Sequence, residues 1–270
     1  MIRKTTVVFF LFSVAVSAQK VERTKDELGK GSGHSRTSSS TSQSSKDSSG
    51  NDEEPGFFFE LFVNIIGGVF KYGLIGDYRN EEHLYNQVSP YPYAIEKAGN
   101  YSDDSIARRQ FWIDFEDQFL YNSNNLLGNH MKVKIRPFQY FYLQADYREL
   151  FERRIDNTGD RLALMHVNLC YDRIRLEKFN LGWNLGVSYV GTEVRKAGFC
   201  YGLSADYFAG KKISFSASAK WSKINMQPIN SYEFYGRFHR RQFYATLGFE
   251  HLKLATPTYN FVSVGGGLYL

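Results

Sequence analysis

From Phe111 onward, polar and apolar residues alternate with a period of two, the pattern of strands that have one face in a polar medium and one in an apolar medium. The clearest run sets Ile213, Phe215, Ala217, Ala219 and Trp221 against Ser214, Ser216, Ser218 and Lys220. It recurs as Leu181, Trp183, Leu185, Val187 and Tyr189 against Gly182, Asn184, Gly186 and Ser188, and as Phe199, Tyr201, Leu203, Ala205 and Tyr207 against Cys200, Gly202, Ser204 and Asp206. Ten strands follow from the pattern: 110–120, 129–137, 139–150, 161–173, 180–190, 198–208, 212–222, 231–239, 241–252 and 259–270. Tight turns near Pro137, Glu177, Gly210 and Arg240 alternate with longer connections such as "YNSNNLLGN", "FERRIDNTGD" and "KINMQPINS". Short and long connections sorted by parity predict an up-and-down barrel with both of its ends on the periplasmic side.

The apolar faces suit lipid. Trp221, Tyr189, Tyr207 and Phe238 fall near strand ends, where an aromatic girdle would sit. The opposite faces carry charges of both signs on neighbouring strands. Asp114 and Glu116 face Lys132, Lys134 and Arg136; Lys220 lies opposite Glu233, and Arg237 joins the same set. These eight residues are expected to form a luminal charge network, either structural or lining a narrow conduit. A soluble barrel or sandwich with an aromatic core is the alternative, and sorted loops have no role there.

Upstream of the strands the chain changes twice. Residues 57–109 begin with "FFFELFVNIIGGVFKYGLIGDY", where Phe58, Phe62, Ile65, Ile66, Val69 and Phe70 recur at helical spacing and predict a short amphipathic helix. Gly67 and Gly68 could instead close a hairpin. Glu60, Asn64 and Lys71 argue against a full membrane span, and from Arg79 to Arg109 the pattern dissolves into loop. Residues 19–56, with "SGHSRTSSSTSQSSKDSSGNDEEPG", form a Ser-rich tether expected to be disordered. Residues 1–18 read as a secretory signal peptide: Arg3 and Lys4 precede an apolar run that ends at Val16 and Ala18, the small residues of a cleavage site.

An export signal, amphipathic strands with alternating loops and an apolar final strand together resemble the small outer-membrane β-barrel proteins of diderm bacteria. The resemblance covers about 160 residues and is architectural. It implies recognition of the last strand by the barrel-assembly machinery through Val262, Val264, Leu268 and Leu270. Such strands usually end in an aromatic residue; here Leu270 stands at the end, beside Tyr269. Gly265 and Gly267 are placed on the luminal face, where they leave room for charged neighbours.

Composition adds exclusions. A net charge of +5 is spread along the chain with no compact basic cluster, so nucleic acid is not an expected partner. Aromatics make up 17% of the chain, interleaved with polar residues as a barrel requires. No nucleotide loop or zinc-ligand spacing occurs, and neither metal nor cofactor is expected. Cys170 and Cys200 fall on strands separated by a third and are expected to be free thiols.

Candidates for catalysis are thin. Asp103 and Asp104 precede the barrel, and Asp156 and Asp160 lie in a loop with no histidine near. His130, His166 and His239 point inward, and His166 with Asn168 is the one mid-strand His and amide pair. His251 is placed outward, near a strand end. The sequence at Asn100 matches a eukaryotic glycan acceptor, which carries no meaning in a bacterial barrel.

The expected protein is thus all-β, an antiparallel up-and-down transmembrane β-barrel of about ten strands (8–12) with a short N-terminal amphipathic helix, placed in the outer membrane. The expected role is structural or interactive, with outer-membrane lipid, the barrel-assembly machinery and a periplasmic or membrane protein as partners. A narrow pore, or a hydrolase, is the alternative.

Overall fold

The computed structural model describes residues 20–30, 73–94, 99–102, 111–123, 125–153 and 159–270. The signal peptide, the Ser-rich part of the tether and residues 57–72 of the helix or hairpin expected over 57–74 lie outside them. The elements in chain order are α1 (Lys20–Lys30), a 3-10 turn (Glu82–Tyr85), β1 (Gln87–Val88), β2 (Tyr101–Ser102), and ten long strands. These are β3 (Trp112–Ser123), β4 (Leu126–Arg136), β5 (Phe141–Arg153), β6 (Gly159–Arg175), β7 (Phe179–Val190), β8 (Lys196–Ala209), β9 (Ile213–Ile224), β10 (Gln227–Arg240), β11 (Phe243–Leu254) and β12 (Thr258–Tyr269). Each of the ten expected strands is present.

β3 to β12 form one closed antiparallel barrel in which every strand pairs with its sequence neighbours and β12 returns to β3. The closing register runs from Tyr269 opposite Asp114 to Val262 opposite Tyr121. Beyond it, the Ile113 amide donates to the Leu270 carbonyl at 3.0 Å and the Leu270 amide to the Ile113 carbonyl at 2.8 Å. No barrel edge is left to pair with another chain.

The two faces separate as the alternation requires. On β9, Ser214, Ser216, Lys220 and Ser222 are buried toward the lumen, while Ile213 and Phe215 are exposed. The outer surface continues this around the ring with Phe199, Leu203, Phe234, Leu247, Val262 and Val264, each half or more exposed. An aqueous barrel hides such residues inside. Here the inside holds the charges, so the wall is built for lipid.

Trp112 and Tyr269 mark the near end of the barrel, with connections at 137–140, 176–178, 210–212 and 241–242; the far end has 124–125, 154–158, 191–195, 225–226 and 255–257. The expected sorting into short and long connections is therefore corrected: among the described connections none at either end is longer than five residues. The stretches read as long loops continue the ladder, because Leu126, Ile224 and Ile229 keep the alternation going and turn their side chains into the barrel. At Asn225 and Met226, φ values of 51° and 65° give the two left-handed residues of a hairpin turn whose twist matches the strands.

Each mouth is covered. Residues 20–30, expected within a disordered tether, are instead α1, lying over the far mouth. Val21 and Leu28 are fully buried there in a cluster with Leu120, Leu150, Leu162, Ile224, Leu254 and Phe261. Composition hid this helix because two apolar contacts suffice when the receiving surface is supplied by other strands. At the near mouth, residues 73–94 and 99–102 lie at the rim and insert Tyr101, which packs with Val88, Trp112, Tyr244 and Tyr269.

The near-mouth segment is clamped by Arg173, whose two terminal nitrogens reach the two carboxylate oxygens of Glu81 at 2.7 and 2.8 Å. The two Arg173 hydrogen bonds, with a third from the Asp77 amide, hold the Glu81 carboxyl below its ordinary pKa. A depressed carboxyl contributes stability above its unfolded pKa and loses it as pH falls through the folded value. The clamp should therefore loosen on acidification below about pH 4, by up to about 1 kcal/mol for a partly exposed pair. The protection factor of the Leu84 amide, its exchange relative to the intrinsic rate at the same pH, is expected to fall at pH 3.5 in the wild type, and to be lowered already at pH 7 in Arg173→Met.

Candidate functional site: a charged and sealed lumen

Antiparallel register brings together the residues that alternation places on one face. Across β3 and β4, Trp112 sits opposite Arg136, Asp114 opposite Lys134, and Glu116 opposite Lys132. The expected row of acids facing bases is therefore in place. The structure then adds partners from strands far away around the ring, and these connect the row across the lumen.

Glu233 on β10 is the hub. Lys132 donates to it at 2.9 Å, Arg148 donates through a second nitrogen, and Lys220 approaches to 3.4 Å. Each of the three cations has another carboxylate. Lys132 lies 3.8 Å from Glu116, Arg148 Nε donates to Glu250 at 2.9 Å, and Lys220 pairs with Asp146. Glu250 also takes the Tyr235 hydroxyl at 2.6 Å and meets His130 Nδ1 at 2.8 Å. Arg237 donates to Glu116 and to Ser216, both at 2.7 Å. Lys132, Arg148, Lys220 and Arg237 thus stand against Glu116, Asp146, Glu233 and Glu250, an even balance of buried charge. Buried ions are tolerated only in such a balance, because an unpaired one carries its full desolvation cost.

Toward the near end, Arg136 donates to Asp172 at 2.8 Å and to the Tyr101 hydroxyl at 2.6 Å, and Tyr101 itself donates to Asp172. The near-mouth plug is therefore hydrogen-bonded into the network. Lys134 and Asp114 line a small polar hollow beside it with Trp112, Asp206 and Arg237. All eight residues expected in the network are luminal. Asp146, Arg148, Asp172, Glu250 and Tyr235 were not among them. Their partners lie as far as 120 positions away in sequence, and alternation alone gives a face without saying what stands across the ring.

Toward the far end, α1 is tied down by polar contacts as well as by Val21 and Leu28. Its first amides donate to Glu152, Val21 N at 2.6 Å and Lys20 N at 3.1 Å, so a carboxylate closes the helix N-terminus. Thr24 and the Tyr259 hydroxyl share a bond of 2.7 Å, Lys25 reaches Asp160 at 3.2 Å and Glu193 at 3.1 Å, and Asn225 donates to the Leu28 carbonyl. The lumen thus has three layers: an apolar cap under α1, an ionic middle and an aromatic floor.

Asp103, Asp104 and Asp156 lie outside the described residues; the histidine and cysteine candidates resolve in place. His166 bonds Ser188 through Nδ1 at 2.6 Å and has Cys200 Sγ at 3.8 Å; His166, Ser188 and Asn168 are all buried in the lumen. His251 is near the far end with Asn260 at 2.6 Å. Cys170 and Cys200 are free and buried, on β6 and β8 with β7 between. On β12, Val262 and Val264 are exposed on the outer face and Leu268 partly so, and Leu270 just beyond the strand is exposed.

Gly267 does have a luminal role, and the neighbour it admits is a tyrosine. Tyr244 lies opposite it in register and crosses to donate to Asp114 at 2.5 Å and Glu116 at 3.0 Å. A Cβ on Gly267 would lie 2.3 Å from the Tyr244 ring and 2.5 Å from the Phe115 carbonyl oxygen. Gly267→Val should therefore cost about 1–3 kcal/mol as overpacking. A lowered urea midpoint of the folded form checks this, and adding Tyr244→Ala should recover part of the loss.

Neither a family model nor a curated protein sequence matches this chain. Solved structures to which this chain is similar include the following two. Ail, the attachment invasion locus protein of Yersinia pestis, aligns over 59% of this chain and 97% of its own at 12% identity and a TM-score of 0.29. The outer membrane protein OprG from Pseudomonas aeruginosa aligns over 59% of this chain and 95% of its own at 8% identity and a TM-score of 0.31.

Proposed function

We propose that this chain is an outer-membrane β-barrel with a structural or interaction role, a candidate subunit of a larger envelope assembly, and not a pore. The observation that carries the reading is the three-layer filling of the lumen, in which Glu233 and its three cations occupy the middle and α1 and Tyr101 cover the ends. The lipid-facing wall and the amino-terminal export signal support the location. A catalytic role has little to stand on, since the His166 and Ser188 pair is enclosed with nothing beside it that a substrate could reach.

Partners then act from outside the lumen. Lipid covers the wall, the assembly machinery reads β12, and a periplasmic or membrane protein meets the exposed ends. The test is conductance in planar bilayers. Purified protein, shown folded by faster migration when unboiled, should stay electrically silent at 1 M salt, a concentration that screens exposed charges but leaves buried pairs intact. Discrete steps in current would restore the narrow-pore reading.

A further inference from the structure

Cations that the chain order scatters are gathered at one end of the ring. The turn between β8 and β9 carries Lys211 and Lys212, and the hairpin between β10 and β11 turns at Arg240 and Arg241. β9 and β10 are hydrogen-bonded neighbours, so the centres of these two near-end turns lie about two strand spacings, roughly 10 Å, apart. The His239 amide donates to the Lys212 carbonyl at 2.8 Å, which joins one turn to the strand that leads into the other. All four cations are exposed, neither turn contains an acidic residue, and among the described residues their side chains have no hydrogen-bond or ion-pair partner. Turn geometry does not call for them: Arg241 has a φ of 55°, a conformation that favours asparagine or glycine. At the far end acids stand among the cations, as in Arg23 with Glu27 at 2.8 Å, Lys30 with Asp26 at 3.1 Å, and Lys25 between Asp160 and Glu193.

The apolar outer wall starts directly beside these cations. Ile213 follows Lys212, Phe243 follows the second turn, and Tyr207 and Phe238 continue the wall, all four exposed. In a barrel that spans a bilayer, residues just beyond the first apolar row lie at headgroup depth. Lysine and arginine can lay their stems along the wall there and keep their charges in water. We infer that Lys211, Lys212, Arg240 and Arg241 form a docking collar for the phosphate headgroups of anionic phospholipid, over the arc from β8 to β11. This rests on the membrane reading above. Phosphate complements both kinds of side chain, meeting lysine as a point charge and arginine through paired N–H bonds. Four cations within about a Debye length of one another repel, and a phosphate headgroup relieves a repulsion that no carboxylate in either turn offsets. One lysine or arginine near a lipid surface is worth about fivefold in the local concentration of an anionic lipid. The collar therefore keeps a shell of anionic lipid at one end of the ring, next to the aromatic wall.

Two cysteine variants on the outer wall test the collar: Phe243→Cys beside it and Val262→Cys toward the far end. Both positions are exposed, and the native thiols are buried and give no background. The full chain, labelled there with bimane, is reconstituted in phosphatidylcholine vesicles that contain chain-brominated phosphatidylglycerol or, at equal mole fraction, chain-brominated phosphatidylcholine. At Phe243→Cys, phosphatidylglycerol should quench about two- to fivefold more than phosphatidylcholine at low salt. The preference should shrink at about 0.5 M salt, where exposed charges are screened. It should disappear when Lys211→Gln, Lys212→Gln, Arg240→Gln and Arg241→Gln are combined in a barrel that still migrates as folded when unboiled. At Val262→Cys the two lipids should quench alike. Equal quenching by both lipids at Phe243→Cys, or a preference there that survives high salt or the four substitutions, would overturn the collar. If neither lipid quenches at either position, the membrane reading itself fails.

Discussion

Replacing Leu28 with Asp is expected to release α1 from the far mouth while the barrel stays closed. An isolated helix of 11 residues is marginal in water, so α1 is helical because it is docked. Its docking rests on two fully buried apolar side chains, Val21 and Leu28, and on the polar ties to Glu152, Tyr259, Asp160 and Asn225. Removing a buried leucine side chain costs about 2–5 kcal/mol, and a carboxylate in its place among Ile224, Leu254 and their neighbours adds a desolvation cost with no partner to offset it. A loss of about 4 kcal/mol shifts the docked fraction by about a thousandfold. Trypsin should then cut at Arg23 and Lys25 in a barrel that still migrates as folded. The uncovered apolar ring should also bind a hydrophobic dye. Leu28→Met keeps volume and apolar character and should behave as the wild type. Resistance of Leu28→Asp to trypsin equal to that of the wild type would remove α1 from the far mouth. Conductance should stay silent in either case, because the ionic middle does not depend on α1.

How much of this was legible in the sequence depends on the range of the interaction. Strand identity is local: alternation in a run such as Ile213 to Trp221 needs only its own residues, and all ten strands are found where the pattern places them. Facing charges on adjacent strands, such as Glu116 and Lys132, follow from one hairpin register. The hub does not, since Arg148 meets Glu233 and Glu250 only after the ring closes and three-dimensional proximity replaces sequence order. Loop length misled for a related reason. A strand that outruns its membrane-facing part looks polar outside, and Leu126 or Ile229 reads as a stray apolar residue until a core under α1 is known to need it. The helix itself was hidden twice, by a Ser-rich neighbourhood and by a partner surface scattered over many strands.

The same network gives the second large effect. Glu233→Leu removes the one carboxylate shared by Lys132, Arg148 and Lys220, leaving these three cations to Glu116, Glu250 and Asp146 alone. Breaking a buried ion cluster from one side costs about 3–5 kcal/mol, because the cations stay desolvated after their partner has gone. The urea midpoint of the folded form should fall accordingly, whereas Glu149→Leu, away from these contacts, should change it by less than about 0.5 kcal/mol. Adding Arg148→Met to Glu233→Leu should restore part of the loss, since it withdraws one orphaned cation. A coupling above about 1 kcal/mol would separate a cooperative cluster from independent pairs. The cluster also bears on register. With a side-chain period of two, a slip of β10 by one residue against β9 or β11 would turn Glu233 and Arg237 into lipid and bring Phe234 and Phe238 into the lumen. Charges that are costly to bury when correctly paired are far more costly in hydrocarbon, so the network penalises every odd slip more than it stabilises the native ring. Glu233→Leu should therefore lower the yield of folded barrel in refolding from urea by more than its effect on the midpoint alone would give.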